Sequence, residues 1–200
     1  MSQHYYSKNP QTKSNPREWT DVLRGEKFRF HTDTGVFSKS EVDFGSRLLI
    51  ETFEEAEIDG PVLDVGCGYG PIGMAVAKAF PHKQVHMVDV NTRAIELAIT
   101  NVEKNDISNV QIYESDGLSA VEATGFSAIL TNPPIRAGKE TIFRFYEEAA
   151  GKLADGGSLW VVIQKKQGAP STKVKLEELF GEVKVIDKKK GYFIFEARKV

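Results

Sequence analysis

The sequence predicts a doubly wound α/β domain, a mostly parallel sheet with helices on both faces. Three observations carry this. From residue 60 onward, short apolar runs alternate with segments of helical period, the pattern of successive βα units whose crossovers force parallel pairing. Residues 62–70, Val-Leu-Asp-Val-Gly-Cys-Gly-Tyr-Gly, read as a strand ending in a glycine-rich turn, and Pro71 opens a helix at the one position where its missing N–H costs nothing. Residues 126–131 read as another buried strand that stops at the rigid polar tip Asn132-Pro133-Pro134-Ile135. Ligands of open α/β sheets bind at the carboxyl ends of the strands, so both tips belong to one functional edge.

Taken in chain order, residues 1–16 are rich in Ser, Asn, Gln, Lys and Pro and are expected to be mobile. Residues 26–37 begin with an alternating Lys-Phe-Arg-Phe-His-Thr run and reach the turn signal Asp33-Thr34-Gly35, which predicts a small hairpin or extended entry segment. Over residues 40–57, Val42, Leu48, Leu49 and Phe53 have roughly helical spacing, with Ser40 and Asp43 as a capping-box pair. Strands are then expected at 61–65, 84–89, 109–113, 126–131 and 157–163, and helices at 71–80, 92–105 and 139–153, with a short turn or helix at 118–123. A helix at 172–180 and strands at 182–187 and 191–197 follow, the last two joined by Lys188-Lys189-Lys190-Gly191 as a hairpin. The expected division is a polar N-terminal extension over residues 1–30 and one catalytic domain over 31–200.

Composition narrows the function classes. Two hundred residues with 40% hydrophobic and 27% charged content suit one globular domain. The longest apolar runs are far too short to span a bilayer, and no apolar stretch of the signal-peptide type is visible near the N-terminus. A single cysteine, Cys67, excludes an internal disulfide and a cysteine-based zinc cage, and His31, His82 and His86 lack ligand spacing, so no metal is assigned. A cytoplasmic location is the expectation. The net charge of −2 is unevenly spread: residues 1–30 carry six Lys/Arg against three Asp/Glu, residues 160–200 carry ten against five, and residues 31–159 carry ten against twenty. Basic flanks on an acidic centre fit a phosphate-contacting rim around a site for a cationic ligand, or simply solvated surface.

The glycine turn is the first chemical feature. Gly66, Gly68 and Gly70 let the backbone turn sharply and approach a ligand with no Cβ in the way. Gly68-x-Gly70-x-x-Gly73 also satisfies the dinucleotide fingerprint. Asp64 argues against that reading, because a carboxylate just before the turn repels a pyrophosphate but attracts a sulfonium and an α-ammonium. Unlike charges about 4–6 Å apart are worth about 1–4 kcal/mol when partly screened, which favours S-adenosyl-L-methionine. Asp89, with Val90 beside it, ends the next strand, where an acidic residue accepts from ribose hydroxyls. Asp116-Gly117 follows the third strand, where Asp116 is either an acceptor for an adenine amine or a solvated turn residue.

The second feature is Asn132-Pro133-Pro134. A ring-conjugated amine is a poor nucleophile because its lone pair is delocalised. Two fixed acceptors, the Asn132 side-chain oxygen and the Pro133 carbonyl, favour a pyramidal nitrogen whose lone pair points at the methyl group. Rigid prolines make this positioning and preorganised electrostatics, with no general base and no metal. The structural alternative is a rigid loop without chemistry.

These residues resemble the class I S-adenosylmethionine-dependent methyltransferases, and among them the family that methylates guanine N2 in small-subunit ribosomal RNA. The resemblance covers about residues 30–197, through Asp33-Thr34-Gly35-Val36-Phe37-Ser38, Asp43-Phe44-Gly45-Ser46, Leu63 to Gly70, and Asn132-Pro133-Pro134. It implies a Rossmann-like class I methyltransferase fold, a seven-stranded mostly parallel sheet with one antiparallel strand. It also implies that residues 35–38, with Phe37, close over the cofactor, and that Asn132 to Pro134 hold the target amine. The chain departs from the family in two ways. Long members carry an extra N-terminal domain that helps bind RNA, and the position after the second proline is usually an aromatic that stacks on the base, whereas here it is Ile135. Phe37 is a candidate replacement. The alternatives are a protein-glutamine amide or adenine-N6 methyltransferase, or an RNA-binding module that holds cofactor without turnover.

Other residues carry weaker expectations. Arg136 and Lys139 follow the tip, and Lys165, Lys166 and Gln167 follow the strand ending at Gln164, so both groups are candidates for contact with substrate phosphate. Lys188 to Lys190 is read as a solvated hairpin tip, Cys67 as a packed residue that lines the cofactor turn, and Trp160 as core. Trp19 fits either RNA stacking or the entry fold. Ribosomal RNA or the small ribosomal subunit is the expected partner, and no residue assigns an oligomeric state.

Overall fold

Residue 8, residues 13–38 and residues 40–200 are described by the computed structural model. The expected mobile stretch over residues 1–16 therefore lies mostly outside the described residues. The chain first forms a hairpin of β1 (Arg17–Leu23) and β2 (Glu26–Thr32), separate from the main sheet. Its turn is Arg24-Gly25, both at positive φ (51° and 77°), the mirror-image turn whose twist matches two antiparallel strands. The turn signal Asp33-Thr34-Gly35 follows β2, with Thr34 and Gly35 in a turn that begins the next loop, and the partner of the 26–32 run lies before it rather than after it. The expected domain boundary at residue 30 falls inside β2, and Leu23, Phe28 and Phe30 are buried in the main core.

The hairpin is tied down by asparagines of α3 (Thr92–Lys104) and its C-cap. Asn101 Nδ2 donates to the His31 carbonyl at 3.0 Å, and His31 N–H donates to Asn101 Oδ1 at 2.6 Å. One turn on, Asn105 makes the same pair with Arg29, at 2.7 and 2.9 Å. Side-chain amides spaced i, i+4 on a helix thus replace the strand that β2 lacks on its outer edge, pairing the backbone groups of His31 and Arg29. Trp19 belongs to this entry fold: its indole donates to Thr32 Oγ1 at 3.0 Å and its ring packs on Phe30.

The main sheet has seven strands in the order β5-β4-β3-β6-β7-β9-β8. They are β3 (Val62–Val65), β4 (Val85–Asp89), β5 (Val110–Glu114), β6 (Phe126–Thr131), β7 (Leu153–Gln164), β8 (Glu182–Lys189) and β9 (Tyr192–Arg198). In this sheet β9 runs antiparallel to both β7 and β8, as the expected final hairpin requires; its turn, Lys190-Gly191, again has two positive φ values (50° and 79°). The helices are α1 (Phe44–Thr52), α2 (Pro71–Ala79), α3, α4 (Lys139–Lys152) and α5 (Ala169–Phe180). One face of the sheet packs Val62, Met87 and Trp160 against α1, α2 and α3, while the other packs Leu63, Val65 and Ile129 against α4 and α5. Strand alternation therefore puts Asp64, on the Val62 face, under α2. Of the turn or helix expected at 118–123, residues 118–120 form a turn. The cap of α1 is Asp43, whose carboxylate accepts from Ser46 N–H, rather than Ser40. No described helix is long and apolar enough to cross a membrane.

Candidate active site

The strand order reverses at β3, with β4 and β5 on one side and β6 on the other. Such a switch point opens a crevice at the carboxyl edge. Val65 pairs with Thr131 at the ends of β3 and β6, and Thr131 Oγ1 donates to the Val65 carbonyl at 3.0 Å. The glycine turn and the Asn-Pro-Pro tip consequently leave the sheet side by side. Between them lies a cavity of about 640 Å³, within the range of small-molecule sites.

The glycine turn is organised by two carboxylates, Asp64 buried and Asp89 half-buried at the cavity wall. Asp89 Oδ2 accepts from Gly68 N–H at 2.9 Å, and its Oδ1 accepts from Asn91 N–H at 2.8 Å. Burial raises the Asp89 carboxyl above its ordinary range, opposed by the N–H groups of Asn91, Gly68 and Val90. Asp64 Oδ2 accepts from Gly73 N–H at 2.9 Å, capping the first turn of α2, whose N-cap Gly70 has no side chain to do so. Burial pushes the Asp64 carboxyl up to about 7, with the nearby Asp89 adding to the rise. Its Oδ1 has no hydrogen-bond partner among the described residues. Burial, Asp89 and Asp64 together push the Cys67 thiol up, so Cys67 is a packed thiol and not a nucleophile.

The glycines divide by role. Gly66 and Gly68 have φ of 75° and 57°, and a Cβ on either would enter open space. A Cβ on Gly70 or Gly73 would strike Met87, at 2.9 and 2.5 Å. The first pair therefore leaves the ligand side clear, while the second pair lets α2 approach β4.

At the other tip, Asn132 Nδ2 donates to Asp43 Oδ2 at 3.2 Å and to Ser46 Oγ at 3.0 Å. Pro133 and Pro134 are buried. Tyr192 lines the same cavity from β9, its ring tilted by 47° against that of Phe44 with centroids 5.4 Å apart; Gly45 leaves it room, since a Cβ there would lie 2.8 Å from the Tyr192 ring. Over the crevice, the 34–38 segment is anchored by Asn91 Nδ2 donating to the Gly35 carbonyl at 2.9 Å and Arg93 donating to the Thr34 carbonyl at 2.6 Å.

Of the residues expected at the site, Phe37, Gly66, Cys67, Gly68, Asp89, Val90, Gly117, Asn132, Pro133, Pro134, Ile135 and Arg136 line the cavity. Six do not. Asp64 lies beneath the turn, because its strand parity points it at α2; the expectation that it faces a cationic ligand directly is corrected. Gly70 packs on Met87. Asp116 sits between the lining residues Ser115 and Gly117, but its carboxylate binds Arg144 at 2.9 Å. Lys139 lies over the Phe143 ring of its own helix at 5.0 Å. Lys165 and Lys166 are exposed beside the lining residue Gln167. Gln167, expected beside the substrate, lines the cavity, as do Asp43, Ser46, Asn91 and Tyr192, which were not singled out as site residues. Asp43 and Ser46 stood within a family-like motif, whereas Tyr192 carries no sequence signal beyond its place at the start of a strand.

The pattern of the methyltransferase small domain matches residues 27–196. The chain is 58% identical over its full length to the whole of the uncharacterized protein YbxB of Bacillus subtilis. It is 34% identical over 88% of its length to the ribosomal RNA small subunit methyltransferase C of Vibrio cholerae, and covers 51% of that protein. Among solved structures it resembles the T. thermophilus 16S rRNA N2 methyltransferase RsmC in complex with AdoMet and guanosine. There the TM-score is 0.83 and the identity 28%, with 96% of this chain and 52% of that one covered. The chain thus spans about half the length of these ribosomal RNA methyltransferase relatives.

Proposed function

The chain belongs to the methyltransferase small domain family, and from that premise we propose that it methylates the exocyclic N2 of a guanine in small-subunit ribosomal RNA, with S-adenosylmethionine as donor. One observation carries the reading: a single cavity joins a nucleotide-type half, Gly66, Gly68 and Asp89, to an amine-acceptor half, Asn132 to Pro134. The donor fits the residues present. Two left-handed glycines leave open space where a Cβ would stand, and Asp89 ends β4 at the cavity wall, where a ribose diol needs an acceptor. The relatives described above support the substrate class.

S-adenosylmethionine supplies an electrophilic methyl group: the amine lone pair forms the N–C bond, the C–S pair stays on sulfur as a thioether, and one N–H proton leaves to solvent. The protein's part is positioning. Asn132 and the Pro133 carbonyl accept the two amine hydrogens and turn the lone pair toward the donor. Buried prolines keep these acceptors fixed, so no reorganisation is needed as charge develops. Ile135 gives an apolar wall without stacking, and Tyr192 and Phe37 supply the aromatic surface that the tip lacks. Arg136, Lys165 and Lys166 follow the carboxyl ends of β6 and β7, where RNA phosphates approach.

The test is transfer of a labelled methyl group to separated ribosomal subunits, naked ribosomal RNA and total protein. Label mapped to N2-methylguanine in small-subunit RNA is the expected result. Label confined to protein points to a glutamine-amide acceptor, and bound cofactor with no transfer points to a binding module.

A further inference from the structure

The geometry points to Asp43 as the positioning residue that fixes the amide of Asn132 with its oxygen toward the target amine. This rests on the acceptor role proposed for Asn132. The two ends of an amide are nearly equal in size, so a half-turn of the side chain exchanges an acceptor for two donors. A flipped Asn132 would point N–H groups at an amine whose hydrogens are donors too, and would oppose binding. Something must set the orientation, and the neighbours of Nδ2 do so unequally.

Asp43 Oδ2 accepts from Asn132 Nδ2 at 3.2 Å, and Ser46 Oγ does so at 3.0 Å. A hydroxyl can donate as well as accept, so Ser46 tolerates either orientation. An ionised carboxylate only accepts, so Asp43 rejects the flipped amide. Asp43 is itself immobilised: the same Oδ2 accepts from Ser46 N–H at 3.0 Å, and the Asp43 carbonyl accepts from Arg47 N–H at 2.9 Å, both at the start of α1. Asp43, Ser46 and Asn132 all line the cavity, so the lock stands beside the reacting nitrogen without being asked to touch it.

Asp43→Ser keeps a side-chain oxygen to cap α1 but replaces the carboxylate beside Asn132 Nδ2 by a shorter hydroxyl that can donate as well as accept. We would measure kcat, KM for RNA, cofactor Kd and Tm for the wild type, Asp43→Ser, Asn132→Ala and the double variant. In Asp43→Ser, kcat should fall about ten-fold or more, with cofactor Kd and Tm near wild type. The double variant should be no slower than Asn132→Ala alone, because one interaction cannot be lost twice. Ser46→Ala should cost only a few-fold. Transfer lost in Asn132→Ala but retained in Asp43→Ser overturns the lock alone. Losses that multiply in the double variant also overturn it, by giving Asp43 a separate role. Full transfer by Asn132→Ala overturns the acceptor reading and the lock with it.

Discussion

At the glycine turn, Asp64 and Asp89 bind the backbone N–H groups of Gly73, Gly68 and Asn91, all within one βαβ unit. At the Asn-Pro-Pro tip, the key side chain is held by Asp43 and Ser46, 89 and 86 residues away in the chain. The first half is a backbone cradle assembled from neighbours in sequence. The second is a side-chain constellation completed only when α1 packs over the ends of β6 and β7. A local cradle forms with its own supersecondary unit, whereas the acceptor depends on long-range packing. Damage to the first half should therefore appear as lost cofactor affinity and stability, and damage to the second as lost transfer.

The sharpest way to break this contrast is Asn132→Ala. Transfer should fall by roughly 10²-fold or more while cofactor affinity stays near wild type, as expected for an interaction realised in the transition state. Equal loss of both would merge the two halves. Asp89→Ala should do the reverse, raising the cofactor Kd by the equivalent of about 1–3 kcal/mol and lowering Tm, since Gly68 and Asn91 lose their acceptor. Unchanged affinity with lowered Tm would make Asp89 purely structural.

Lys165→Glu combined with Lys166→Glu extends the test to the rim of the acceptor half. RNA binding should weaken, and the slope of log K against log salt should flatten by about 1–2, with cofactor affinity untouched; a salt slope like the wild type's would reduce this turn to plain surface. The last test leaves transfer aside and reads the stability linked to Asp64. Its carboxyl stands at about 7 against the usual 3.8, so between these values the folded protein keeps a proton that the unfolded chain has released. Stability from this group is present below about pH 4, is lost as pH rises to about 7, and does not change further above that. Asp64→Asn keeps an oxygen for Gly73 N–H and should flatten that slope in the ligand-free protein, read as Tm against pH at roughly 2–4 °C per kcal/mol. Identical slopes in both proteins would place the titration elsewhere.

Much of this was legible in the chain. Each strand of the main sheet, the reversed last hairpin and both tips followed from periodicity, Gly and Pro placement and strand-end polarity, because these are local properties of the backbone. The misreadings were also physical. β1 was missed because Arg17–Leu23 is mostly exposed on its polar face and its turn, Arg24-Gly25, is a weaker signal than Asp33-Thr34-Gly35. The Ser40–Asp43 pair read as a cap lies three residues too early, since Asp43 itself caps through Ser46.

By itself the sequence determined that the glycine turn and the Asn-Pro-Pro tip would share one edge of the sheet, since each follows the carboxyl end of a strand. Tertiary structure alone decided where the carboxylates point. Asp64 turned under α2 because alternation on β3 left it on that face, and Asp116 was drawn to Arg144. It also decided what completes the acceptor: Asp43, Ser46 and Tyr192 reach Asn132's cavity from α1 and β9. Such contacts arise from packing between distant segments, and no local rule of spacing or propensity encodes them.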